Sequence, residues 1–281
     1  DGSLRVHGFS REQARESPAL RASQRAVLSC ARALLPNCRR EVQMLEANFG
    51  QLPARVHVIP NAVRPERYLA ASKEPFVRQF GLQDFVLCAG RIEPNKNQMM
   101  LIWALRDTGL PLVLAGSVRD EGYAGLCRKW AGDNVHFLGE LSPHLLASAY
   151  AAARVHALAS WSETPGLVNL EAGLSGCSLV VGNRGAEMEY LGEYAIPCDP
   201  GDWRSIRQAV LRAWQSASAD RAGACRRHIL DNYTWSRAAT MTAQVYEEIL
   251  AELSSGRRVG IAPERTAPPA PAASGRDPKD D

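Results

Sequence analysis

Glu163 and Glu171 stand eight residues apart around the turn Pro165-Gly166, and the segment they frame opens into an apolar, helix-forming run. Residues 155–160 before them are short and apolar like a buried strand, and residues 170–174 suit a helix, so the local order is strand, loop, helix. A helix starting near Gly166 presents unpaired N–H groups at Gly166, Leu167 and Val168 together with the positive end of its dipole. That setting favours a phosphate or another anion. Carboxylates repel phosphate, so Glu163 and Glu171 are better matched to hydroxyl groups, such as those of a sugar and a ribose, for which they are good acceptors. The plain alternative is that Glu163 caps the helix and Glu171 is a solvated face residue.

A second polar cluster, Gly90-Arg91-Ile92-Glu93-Pro94-Asn95-Lys96, follows directly on the apolar residues 85–89. Arg91 and Lys96 would project from a loop at the carboxyl end of a strand, where open parallel sheets bind their ligands. Two cations on one loop suit a diphosphate, because Arg grips phosphate oxygens in a bidentate fork and Lys adds a compact point charge. An ordinary charged surface turn is the competing reading.

Taken in order, these segments resemble the retaining group 1 (family 4) glycosyltransferases, which have the two-domain GT-B fold. Val58-Ile-Pro-Asn-Ala-Val63 looks like the interdomain segment, which in the family usually ends Asn-Gly-Val. Gly90-Arg91 with Lys96 looks like the diphosphate-binding pair. Leu114-Ala-Gly-Ser117 and Phe137-Leu-Gly-Glu-Leu141 occupy the places of the next two strand ends, and Glu163 with Glu171 reproduces the E-x7-E signature. The resemblance covers about residues 25 to 253, and five ordered motifs agree by chance far less readily than one.

The elements needed to position these residues are legible as a pattern. Apolar segments at 56–59, 85–89, 111–115, 135–138, 155–160 and 178–181 alternate with longer amphipathic stretches at 98–106, 122–131, 143–153, 202–216 and 219–230, as βα units do. Ser142-Pro143 and Asp202 are helix start signals. The fold class expected is α/β, a doubly wound parallel sheet forming the Rossmann-like half of a GT-B fold, with an amino-terminal helical remnant. Residues 1–54 are expected to be the remnant of an acceptor-binding domain, with helices between 21 and 49. Residues 55–235 are expected to form the nucleotide-sugar donor-binding domain, 236–253 a terminal crossover helix, and 254–281, rich in Pro and Ala, a disordered tail. Gly182-Asn-Arg-Gly-Ala-Glu187, after what reads as the last core strand, either closes the donor pocket or is a turn needing Gly at positive φ.

The family's acceptor-binding domain is much longer than the segment before Arg55, and the chain starts at Asp1 without an initiator Met. A fragment of a longer reading frame is therefore expected, with a subunit completed in trans by an acceptor-domain partner chain as the alternative. His7 falls in the remnant, where family members often carry a catalytic or sugar-contacting His, but no surrounding motif supports a role for it.

Composition narrows the class. Apolar residues make up 46% of the 281, and the formal charge is +3, which with dispersed Arg argues against a nucleic-acid binder. No stretch approaches a transmembrane span or signal peptide. Seven cysteines without a C-x-x-C pair read as reduced thiols in a cytoplasmic setting, with Cys88 and Cys177 as small buried hydrophobes. There is no G-x-x-x-x-G-K-[ST] loop, no G-x-S-x-G elbow and no metal-ligand spacing among the six histidines. His57, His136 and His156 sit in apparent strands as core residues. Tyr190, Trp161 and Trp203 could line a pocket but more simply pack.

The resemblance implies the rest. A sugar would pass from a nucleotide diphosphate-sugar to a hydroxyl of a sugar or lipid-linked acceptor, with retention of configuration. Arg91, Lys96 and Glu163 would form the catalytic set. Arg91, Lys96 and the backbone at Gly166, Leu167 and Val168 would hold the diphosphate, Glu163 the donor sugar, Glu171 the ribose and the backbone around Leu141 the base. Without a D-x-D sequence no metal ion is expected, and no cofactor beyond the donor. Residues 185–192 with 198–200 look like a subgroup found in bacterial surface-polysaccharide assembly, which would place the chain in the cytoplasm, with a peripheral position at the inner face of the membrane as a further option. A nucleotide-sugar epimerase or a phosphorylase is the more distant option.

Overall fold

A computed structural model describes residues 18–255. His7 and all but the first residues of the Pro- and Ala-rich tail lie outside the described residues. The chain opens with α1 (Pro18–Cys30), β1 (Ala33–Leu34), α2 (Arg39–Phe49) and β2 (Arg55–Val56). β1 and β2 pair in parallel as a small separate sheet, extended by backbone bonds from His57 to Leu34 and from Ile59 to Pro36, each 2.9 Å. The apolar residues expected as a strand at 56–59 thus pair with the amino-terminal segment and not with the main sheet.

Next come α3 (Pro65–Leu69), α4 (Glu74–Phe80), β3 (Val86–Ala89), α5 (Gln98–Leu105), β4 (Leu112–Ala115), α6 (Glu121–Trp130), β5 (Val135–Gly139), α7 (Pro143–Ala152) and β6 (Val155–Leu158). The remainder is α8 (Leu167–Ser175), β7 (Ser178–Gly182), α9 (Glu187–Leu191), β8 (Ala195–Cys198), α10 (Trp203–Ser216), α11 (Ala219–Asn232) and α12 (Trp235–Ser254). The helix starts follow the capping rule: Ser142 accepts from the Leu145 N–H at 3.3 Å and Asp202 from the Arg204 N–H at 2.9 Å.

β3 to β8 form one parallel sheet in the order β5-β4-β3-β6-β7-β8. Strands buried on both faces need apolar residues at successive positions, as β3 and β4 have. Alternate residues then divide between two cores. Leu87, Ala89, Val113, Ala115, Leu179 and Val181 face the layer of α3, α4, α7, α8 and α11, where Tyr68, Phe76, Tyr150 and Leu170 are buried. Val86, Cys88, Leu112, Leu114, Val155 and Val180 face α5, α6 and α10. This is the doubly wound arrangement expected.

Two expectations need correction. The strand at 178–181 is not the last, because β8 lies beyond it at the sheet edge; its Pro197 weakens the strand signal and is tolerated because an edge strand can dispense with one ladder N–H. The short helices α3, α4 and α9 also carry too few turns to show a periodic pattern. All seven cysteines are free, and Cys88 and Cys177 are buried. Among the described residues no helix is long and apolar enough to cross a membrane.

Candidate functional site

β3 and β6 are neighbours in the sheet, with Val86 opposite Val155, although β4 and β5 come between them in the chain. Strand addition reverses direction between them. Loops leaving the carboxyl ends of two such strands diverge to opposite faces and open a crevice, the usual ligand position in a doubly wound sheet. The loop after β3 carries Arg91 and Lys96. The loop after β6 carries Glu163 and Gly166.

Hydrogen bonds bind the two loops to each other. The Trp161 N–H donates to the Asn95 carbonyl at 2.9 Å and Asn95 Nδ2 to the Ser162 carbonyl at 3.1 Å. Asn97, buried at φ +59°, donates through Nδ2 to the carbonyls of Ala159 and Pro200 at 3.0 and 2.8 Å. Asn adopts this left-handed backbone more readily than other non-glycine residues, and here it turns the 3₁₀ segment Pro94–Lys96 into α5.

Lys96 Nζ then donates to Glu163 Oε1 at 2.5 Å, with the two side chains only 14% and 10% exposed. The two sequence clusters therefore meet in one ion pair. Arg91 stays at the rim, 58% exposed and 3.1 Å from Glu93, while its carbonyl accepts from the buried Gln98 Nε2 at 2.8 Å.

Gly166 precedes α8 at φ +64°, and a Cβ there would lie 2.7 Å from Asn169 Nδ2. Only glycine allows this approach, which lets the buried Asn169 take a 2.8 Å backbone bond to the Gly166 carbonyl. No side chain caps α8, so the alternative of Glu163 as its cap does not hold: its carboxylate is engaged by Lys96. Leu167, exposed, and Val168, half-buried, form the first turn.

Glu171 is not a solvated face residue either. Its Oε2 accepts from the Tyr150 hydroxyl at 3.1 Å, and the Tyr68 ring lies edge to face with Tyr150. Burial raises its pKa, while both tyrosines and the Arg67 charge oppose that rise. Leu141 lies between β5 and α7 with its side chain packed on the core, which leaves its backbone as the group able to meet a ligand. His156 is a core residue: burial holds its pKa near 3, so it is neutral, and Nε2 accepts from the Ala89 N–H at 3.4 Å. Tyr190 also packs, accepting from the Asn61 N–H at 3.0 Å and donating to the Asn37 carbonyl at 2.6 Å. Trp161 lies under the Arg184 guanidinium at 5.0 Å.

One acid of this site, at the end of the segment 182–187, was given no role by the sequence; the alternative of a turn at positive φ does not hold there, since neither Gly182 nor Gly185 has one. Glu187 is fully buried, and neither carboxylate oxygen has a hydrogen-bond partner. The start of α9 is held on the Glu163 loop by a 2.8 Å bond from the Ala186 N–H to the Glu163 carbonyl. Loss of water pushes the Glu187 pKa up to about 7; its own backbone N–H lowers it, nearby Glu163 adds to the rise, and Arg40 and Lys96 oppose it. Glu189, two residues on, accepts instead from the backbone N–H groups of Arg39 and Arg40 at 2.6 and 3.2 Å, at the start of α2. Nothing local distinguishes the two glutamates, since α9 is only five residues long.

Comparison with known proteins bears on the family and the fold. The chain is 31% identical over 216 residues to a glycogen synthase of Mycobacterium tuberculosis, which covers 70% of this chain and 50% of that protein. It thus spans about half the length of that relative. A sucrose-phosphate synthase from Thermosynechococcus elongatus superposes with a TM-score of 0.74 at 22% identity, covering 86% of this chain and 64% of that one. The Anabaena protein HepE, solved in complex with UDP and glucose, gives 0.73 at 20% identity over 86% and 69%. At such identities these two likenesses speak for the fold, which is GT-B. The family model described as "Glycosyl transferases group 1" matches residues 73–225, from the start of α4 through β8 to α11, and so takes in both loops of the crevice. With more than half of its residues inside that match, the chain belongs to the group 1 glycosyltransferases.

Proposed function

We propose that residues 55–235 bind a nucleotide diphosphate-sugar across the carboxyl ends of β3 and β6. The sugar then passes to an acceptor hydroxyl with retention of configuration. The observation that carries this reading is the Lys96–Glu163 pair, which joins the two loops at the point where strand order reverses. Arg91, Lys96 and the backbone N–H groups at Gly166, Leu167 and Val168 take the diphosphate, with Lys96 exchanging Glu163 for phosphate oxygens. Glu163, released, accepts from the hydroxyls of the donor sugar, and Glu171 accepts from the ribose. The backbone at Leu141 meets the base.

A nucleoside diphosphate leaves as an anion, so its departure needs electrostatic stabilisation more than a proton. Donors fixed in advance in a site of low polarity can lower such a barrier by several kcal/mol. Neither acid has to act as a nucleophile. Relatives named glycogen synthase, and a neighbour solved with UDP and glucose, favour a hexose on a uridine or similar carrier. A sugar or lipid-linked acceptor and a part in bacterial polysaccharide synthesis at the cytoplasmic side of the membrane complete the reading.

A second reading makes the chain a nucleotide-sugar-binding subunit. It would then bind the donor and transfer it only with an acceptor-domain partner. Calorimetric titration with UDP, GDP, ADP and their sugar conjugates tests both. Selective binding is expected, weakened in Arg91→Ala and Lys96→Ala by about 1.5–3 kcal/mol for each charged hydrogen bond removed. Equal binding by parent and folded variants would overturn the site. Binding without turnover until an acceptor domain is supplied would favour the second reading.

A further inference from the structure

On α8, Glu171 lies near two tyrosines from different elements. Tyr68 comes from α3, in the segment that follows the interdomain stretch, and Tyr150 comes from α7. Both rings are buried, and they meet edge to face with centroids 6.0 Å apart. Tyr150 is fixed further by an edge contact with His156 at 5.7 Å. The Arg67 charge lies near Tyr68 and Glu171 and favours the ionised form of each.

A hydroxyl inside a core is expensive unless it is bonded, and phenylalanine would fill either space without it. A buried phenol bonded to a carboxylate therefore asks for a reason beyond packing. A carboxylate offers about four acceptor positions. With one taken by Tyr150, about three are left, and the bond restrains the group from turning them elsewhere. A nucleoside diphosphate has two vicinal ribose hydroxyls to donate.

The geometry points to Tyr150 as a positioning residue that locks the Glu171 carboxylate so that its remaining lone pairs meet the 2′- and 3′-hydroxyls of the ribose, with the Tyr68 ring packed against Tyr150. This rests on the reading of Glu171 as the ribose-binding acid. Neither tyrosine touches the reacting atoms. The effect is confined to discrimination: nucleotides carrying both hydroxyls gain from the lock, and deoxynucleotides do not.

The test is calorimetry with the tightest-binding of UDP, GDP and ADP and its 2′-deoxy and 3′-deoxy analogues. It is run on the full 281-residue chain, on Tyr68→Phe and Tyr150→Phe, and on Glu171→Gln as a control. Each Tyr→Phe change removes one oxygen and keeps the ring. The parent should prefer the ribonucleotide. In Tyr150→Phe that preference should shrink roughly 3- to 10-fold while affinity for the deoxy analogues holds within about twofold; Tyr68→Phe, which keeps the ring against Tyr150, should retain the preference. In Tyr150→Phe a merely structural role would lower both affinities together or leave both unchanged, and either result overturns the proposal. A parent with no preference for ribose overturns the assignment of Glu171 itself, whereas a discriminating parent whose Tyr150→Phe variant keeps the whole ratio overturns the positioning role alone.

Discussion

Lys96 and Glu163 are separated by 67 residues and joined by one hydrogen bond, which shows what a residue's type can and cannot announce. Their chemistry was legible, since a cation on a strand-end loop and an acid before a Pro-Gly turn each point to a polar ligand. Their partnership was not, because it depends on β3 and β6 lying side by side. Glu187 makes the point more strongly. Its burial follows from α9 folding back on the Glu163 loop, and it should leave a mark on stability. Its folded pKa near 7 lies above the ordinary value of 4.5, so the folded state holds a proton that the unfolded state gives up. The associated stability is complete below about pH 4.5 and is lost as pH rises through 7. Urea unfolding at pH 5 and pH 8.5 should show the parent losing up to about 3 kcal/mol through this group. Glu187→Gln should flatten the difference, and an equal slope in the variant would mean that Glu187 is not the group responsible.

At the scale of elements, the strand-loop-helix units were readable because each contains its own signals. Apolar runs marked β3 to β7, and Ser142-Pro143 and Asp202 marked helix starts that the structure confirms. The short elements were missed because fewer than two helical turns give no period, and because Pro197 speaks against a strand until the strand is known to lie at an edge. Loop placement also depends on contacts between units. Gly116, after β4, has φ +156°, and a Cβ there would lie 2.0 Å from the Gly90 carbonyl oxygen. The loop bearing Arg91 is thus pressed onto the end of β4, with backbone and no flexible side chain as the obstacle. Gly116→Ala should cost on the order of 2 kcal/mol of stability and displace the Gly90–Arg91 segment, which titration would read as weaker diphosphate binding. Gly125→Ala, inside α6 with open space around the new methyl group, should be neutral or slightly stabilising. Similar losses from the two changes would contradict this account of the loop.

The described residues form a doubly wound sheet with a small amino-terminal layer fastened to it by α12 and by Glu189 and Tyr190 of α9. Ala238 and Val245 of α12 are buried, Glu252 pairs with Arg55, and Val63 forms a parallel bridge to Thr234 at its start. A groove between α12 and the segment Ile59–Asn61 is lined by Leu35, Trp235 and Tyr246. Ending the chain after Thr234 should therefore loosen β1, β2 and α2, leaving them to the α9 contacts, while the six-stranded sheet stays folded. Burying a Val side chain alone is worth about 1.5–3 kcal/mol. Limited proteolysis should then cut residues 31–60 faster than in the parent, and unchanged resistance there would show that α12 does not hold this layer. The sequence by itself determined the class of fold, the order of its main units and the two polar loops, since each rests on a period, a cap or a turn contained within a few residues. Only the tertiary structure decided that Lys96 meets Glu163, that Glu187 is buried beside them and that Tyr150 bonds Glu171. Those facts follow from which strands are neighbours and which helix covers them, and the free energy that fixes them comes from packing between segments distant in the chain.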